Sequence, residues 1–224
     1  LRRSLSRPFI RCSGVGPNAT ADGRKNMAAL SFGDGAIDRT VEITDERARQ
    51  RARLISYQSD ILAGGLDVIF CGINPASTAA ADGHNFSNRN NRFWPVLHLA
   101  GFTDVRLEPK DERRLLEYGC GITAVVARPT KRADGVLPAE FRQARPEFEA
   151  KMRRCAPRVI AFLGKRALAA MVGRSDIGWG LYPDRFAETA AWVLPNPSGL
   201  NRGFTLDALV CAYTELRHAF PPHT

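Results

Sequence analysis

"LDVIFCG", residues 66–72, is apolar almost throughout and rich in β-branched and aromatic side chains. A strand with one wet face alternates apolar and polar residues, whereas a strand covered on both faces does not, and that continuity marks a parallel strand inside a layered sheet. The pattern returns in "CGITAVV" (120–126), "RVIAFLG" (158–164) and "AAWVLP" (190–195). Helical stretches lie between and after these runs, over 91–100 closed by Gly101, 110–118 closed by Gly119, 138–155, 165–172 and 206–220. The last carries Leu206, Leu209, Val210, Tyr213 and Leu216 at i, i+3, i+4, i+7 and i+10. Strands alternating with helices predict an α/β chain, a three-layer α/β/α sandwich around a mainly parallel central sheet.

Upstream, Thr44 is placed to cap a helix, with Asp45 and Glu46 in its first turn and Gly64-Gly65 at its end. On it, "RARQRAR" (47–53) stacks Arg47 over Arg51 and Arg49 over Arg53, the pattern of a solvated basic face. Residues 1–43 mix Arg, Ser, Gly, Asn and Pro with neither helical nor alternating periodicity. They read as a basic arm, either solvated or against phosphates, attached to one domain over 44–224.

The 224 residues carry 32 Lys and Arg against 23 Asp and Glu, a formal charge of +9. Such an excess fits a polyanionic partner or merely a soluble basic surface. The five cysteines are scattered without a C-x-x-C pair, and the four histidines lack metal spacing, so no metal, cofactor or disulfide framework is expected and the cytoplasm is the expected compartment. No run is long enough to span a membrane, and a monomer is expected. Neither G-x-G-x-x-G nor G-x-x-x-x-G-K-[ST] occurs, which removes most of the support for dinucleotide or nucleoside-triphosphate binding.

In such folds ligands bind beyond the carboxyl ends of the strands. The loop "GINPASTAAADGHNF" (72–86) leaves the first strand through Gly72, and Pro75 pushes Asn74 out of helical geometry. Asn74 is thereby held at a strand end with a side chain that both donates and accepts. "VLPNPSGLNRGF" (193–204) places a second Asn-Pro at a strand end and strands Leu200 among Gly199, Asn201 and Arg202. An apolar residue so placed is either tucked onto the core or a wedge for a base stack. Lys165 opens a helix, where it can meet a phosphate.

"GINPASTAAADGHNFSNRNNRFW", "AGFTD", "CGITAVVARPT", "LGKRA" and "VLPNPSGLNR" occur in that order. Together they resemble the mismatch-specific uracil/thymine-DNA glycosylase family, of Mug and TDG type, from about Gly64 to Phe220. The resemblance implies an enzyme that flips uracil, and by extension thymine or etheno-cytosine, from opposite guanine in double-stranded DNA and cleaves its N-glycosidic bond. It assigns Asn74 to the catalytic Asn that positions water, Phe86 to the stacking aromatic and Asn196 to the second motif near the pocket. Gly199, Leu200 and Asn201, followed by Arg202, fall on the segment that enters the duplex and meets the widowed guanine.

The sequence departs from the family's G-I-N-P-G in having Ala76, which is expected to border the base and either crowd the pocket or tilt the loop. It also carries Asp82, where related enzymes usually lack an acid. A carboxylate there either assists the water or closes an Asx-type turn with Gly83. Ala79 leaves room for a thymine methyl. Arg128, Lys131, Arg132, Lys165, Ser198 and Arg202 are candidates for the phosphate track. Two other classes stay open: a mismatch binder whose pocket Ala76 has disabled, and a small-molecule hydrolase on the same scaffold.

Overall fold

The computed structural model describes residues 60–223; the arm over 1–43 and most of the helix expected from Thr44 lie outside them. Four parallel strands form the sheet: β1 (Val68–Gly72), β2 (Cys120–Ala124), β3 (Val159–Leu163) and β5 (Ala190–Leu194). A short antiparallel strand, β4 (Gly180–Leu181), completes the order β2-β1-β3-β5-β4. The helices are α1 (Ser77–Asp82), α2 (Phe93–Leu99), α3 (Pro138–Cys155), α4 (Lys165–Val172) and α5 (Leu206–Ala219).

The continuous apolar runs serve two cores because successive side chains point to opposite faces. Val68 and Phe70 of β1, with Ile122, Ala161 and Leu194, face α2 and α5. Ile69 and Cys71, with Ile160, Phe162 and Val193, face α3 and α4. This is the three-layer α/β/α arrangement expected. Phe70 sits at the centre of the first core, edge-on to Phe93 and Phe102 and stacked on Tyr213; such ring pairs contribute about 0.5–1.5 kcal/mol each beyond area burial.

Three expectations need correction, and one short strand is new. The stretch 110–118 is a 3₁₀ helix (Pro109–Tyr118), entered through Pro109 and a reciprocal Glu108–Asp111 cap. Residues 61–63 are not the end of a helix, for Ile61 exchanges backbone hydrogen bonds of 2.8 and 2.9 Å with Ile122 and extends the sheet edge. Gly121 permits this approach, since a Cβ there would lie 2.7 Å from the Ile61 carbonyl oxygen. The loop after β1 contains α1, whose Ala-rich turn buries Ala79 and Ala80 and ends at Gly83 in the left-handed region. β4 has too few residues to leave a periodic signal.

Candidate active site

Parallel strands deliver the loops after β1, β2 and β5 to one end of the sheet. The first two are zipped together: the Thr130 N–H donates to the Pro75 carbonyl at 3.1 Å and the Ser77 N–H to the Thr130 carbonyl at 2.9 Å. Across this seam Asn74 Nδ2 donates to the Arg128 carbonyl at 2.7 Å and to Thr130 Oγ1 at 2.9 Å. Thr130 spends its own proton on the Arg132 carbonyl at 2.7 Å, so its lone pair is what Asn74 meets. A carbonyl only accepts, so the amide must present its NH₂ to Arg128, and Oδ1 is turned the other way as an acceptor. Ala76 has φ −71°, ordinary for an L-residue, so replacing the family's Gly strains no backbone here.

Phe86 follows α1 and packs on a second aromatic ring. Its half-buried ring stacks on Phe93 at 3.9 Å between centroids, and Phe93 in turn meets Trp94 edge-on. Phe86 has φ +54°, a left-handed conformation that bulky side chains adopt at a cost of about 1–2 kcal/mol. Asp82 is exposed at the last turn of α1, and its Oδ2 accepts the Ser87 hydroxyl at 2.7 Å, a bond across the Phe86 turn.

The loop after β5 is organised by Arg92, a residue that periodicity and motif spacing do not single out. Its guanidinium donates to the carbonyls of Phe204 (2.6 Å), Asn201 (2.8 Å), Ser198 (3.0 Å) and Pro197 (3.4 Å). The same loop leans on the turn before α2: a Cβ at Gly199 would lie 2.8 Å from Asn90 Cβ and closer still to the Asn90 carbonyl oxygen, so only glycine fits. Asn196, expected at the base, has both ends of its amide engaged, accepting the Ser198 N–H at 2.9 Å and donating to the Leu163 carbonyl at 3.3 Å. Asn201 Nδ2 closes the loop on the Asn196 carbonyl at 2.9 Å. Leu200 is left 70 % exposed at the tip beside exposed Arg202, so it is not tucked onto the core.

The cations differ in availability. Arg128 is paired with Glu140 at 2.9 Å and donates to the Gly135 carbonyl, and Arg132 is paired with Asp134 at 2.8 Å. Lys131 is exposed, and Lys165 lies with Nζ 4.4 Å from the centre of the Trp179 ring, a cation–π contact at the mouth of the loop that also holds Phe204 against Trp179. Ser198 Oγ accepts the Leu200 N–H at 3.3 Å. Burial pushes the Cys71 thiol far up and Cys120 up to about 12, which keeps both protonated and unfit as nucleophiles near neutral pH. Among the described residues no group of three or more His, Cys, Asp and Glu could hold a metal ion, and no helix is long and apolar enough to cross a membrane.

Three residues at the site escape a reading of motifs alone: Arg92, Thr130 and Glu112. Thr130 was within reach, since it ends the "ARPT" of a family motif. Glu112 comes from the 3₁₀ helix and accepts the Asn85 N–H at 2.7 Å, a contact with no local signal. The arrangement thus combines an oriented amide, an aromatic platform and an exposed apolar tip at one end of the sheet. The family model of the Uracil DNA glycosylase superfamily matches residues 60–217, most of the chain and all of these loops, and the protein belongs to that superfamily of DNA-repair glycosylases.

Proposed function

We propose that the protein is a monofunctional, mismatch-specific glycosylase that acts on uracil opposite guanine in duplex DNA and hydrolyses the bond between base and sugar. The observation that carries this reading is the double anchoring of Asn74 Nδ2, which leaves Oδ1 without a partner among the described residues and able to accept a proton of an attacking water. Cleavage develops positive charge on the sugar and negative charge on the base, so a placed water and oriented dipoles lower the barrier without a strong base. The free face of Phe86 takes the flipped base, with Ala76 bordering it. Leu200 fills the gap in the stack, Gly199, Asn201 and Arg202 face the widowed guanine, and Asn196 shapes the loop that carries them. Lys131, Lys165, Ser198 and, through its outer edge, Arg128 lie along the phosphates.

Asp82 is assigned a supporting catalytic role, reached when the Ser87 hydroxyl yields its carboxylate to the water or the developing cation. The buried, small Ala79 supports slower action on thymine, and etheno-cytosine belongs to the same substrate class.

The test is single-turnover base release from G·U, A·U and G·T duplexes and from single-stranded uracil DNA. The wild type releases uracil from G·U, and Asn74→Ala slows it by at least about 100-fold. Asp82→Asn at the wild-type rate removes Asp82 from the mechanism. G·U binding without release would make the protein a mismatch binder.

A further inference from the structure

Glu112 is a buried acid, 8 % exposed, that none of the chemistry above employs. Acids are rarely so buried unless every oxygen is met by a donor. Its Oε2 accepts the Asn85 N–H at 2.7 Å and its Oε1 lies 3.3 Å from Nδ1 of His84. On the other side of the same residue, Trp94 Nε1 donates to the Asn85 carbonyl at 3.2 Å. The backbone of Asn85 is therefore gripped at both its N–H and its C=O, by a 3₁₀ helix and by α2. The next residue is Phe86, whose φ of +54° a bulky side chain holds only when its surroundings impose it.

We infer that Glu112 is a positioning residue for base recognition: it fastens residues 84–85 so that Phe86 keeps its left-handed turn, lays its ring on Phe93 and presents the other face to the base. The inference rests on the reading of Phe86 as the base platform. An acid suits the task because it offers two acceptor oxygens and no donor, one for a backbone N–H and one for an imidazole N–H. A platform set before the base arrives needs no ordering at the moment of flipping.

The test compares Glu112→Ala, Glu112→Asp and Glu112→Gln, each also with Phe86→Ala, by amide hydrogen exchange and by single-turnover uracil release from a G·U duplex. In Glu112→Ala, exchange rises at residues 84–87 and not in β1 or β3, and release slows by about 10- to 100-fold, as for a misplaced substrate-positioning group. Glu112→Asp is too short to span both donors and behaves alike, which decides the matter if the alanine variant does not fold. Glu112→Gln keeps an acceptor for the Asn85 N–H and recovers most of the rate. With Phe86→Ala in place, losing Glu112 costs less than about threefold, because the two act as a unit. Unchanged exchange at 84–87, a wild-type rate in both Glu112→Ala and Glu112→Asp, or a full additive loss beside Phe86→Ala would each overturn the inference. A wild type that releases no base defeats the glycosylase reading instead, and exchange alone then decides whether Glu112 sets the turn.

Discussion

Asn74 cannot act as a base, so its contribution lies in which atom it offers and how firmly. The Arg128 carbonyl dictates the amide's orientation, but a single bond leaves the side chain free to swing about it, and Thr130 Oγ1 supplies the second point that stops the swing. Thr130→Val keeps the shape and removes that point. The expected result is a fall in the single-turnover rate of about tenfold with duplex affinity unchanged, and a stability loss of about 1–3 kcal/mol, since the hydroxyl's bonds with Asn74 and with the Arg132 carbonyl both go. Leu200 is the opposite kind of residue, a large apolar side chain 70 % exposed. Leu200→Ala should leave stability within about 0.5 kcal/mol, as surface changes do. It should slow uracil release from duplex DNA by about tenfold or more and leave release from single strands untouched, because a wedge matters only where a stack must be opened. Equal slowing on both substrates would show that Leu200 does something other than open the duplex.

At the scale of elements, the loop after β5 is tied to the start of α2, since four of its carbonyls converge on one guanidinium there. A lysine in that place keeps the charge but is a point donor and cannot serve four directions at once. Arg92→Lys is therefore expected to cost about 1–3 kcal/mol in denaturant melts, as carbonyls lose partners. It should also weaken duplex binding and flipping, followed by 2-aminopurine fluorescence beside the uracil, more than it weakens release from single strands. Such a residue is invisible to sequence reading for a physical reason: its partners lie more than a hundred positions downstream, and nothing local distinguishes it from the other arginines. Glu112 is hidden in the same way, as its partners Asn85 and His84 belong to another element. The four long strands were legible because burial on both faces leaves a continuous apolar run; Asn74 and Leu200 stand out as candidates because each breaks the pattern around it, and Phe86 through the family resemblance. Helix α1 was not legible, since Ala, Ser and Thr carry no apolar periodicity and only their placement after Pro75 makes a turn of helix.

Across the whole molecule, the two ends of the sheet are held by different chemistry. The site occupies the carboxyl ends of the strands, while at the amino end of β1 Asp67 joins Arg158 of the approach to β3 with the C-terminal tail. Arg158 donates to Asp67 Oδ1 at 3.1 Å and to the Pro221 carbonyl at 2.6 Å, and His223 meets Asp67 through both its N–H and its imidazole. Asp67 and His223 border a cleft of about 550 Å³ shared with Tyr118 and Arg217, away from the loops of the candidate site. Burial pushes the Asp67 carboxyl up, but the Arg158 bond and the two contacts with His223 outweigh it and hold the group below its ordinary 3.8. A group whose folded pKa is lowered contributes stability above the unfolded value and loses it as pH falls through the folded one. Asp67→Asn should then cost about 1–3 kcal/mol at about pH 7, where Arg158 loses its charged partner, and the gap to wild type should close as the pH falls below the ordinary 3.8 and through the lowered folded value. Urea melts of both proteins across that range measure it. A gap that stayed constant into acid would mean that Asp67 acts by packing and not by charge. Because the pin lies at the amino end of the sheet, the same substitution should leave uracil release near neutral pH unchanged, which separates what holds the fold from what serves the site.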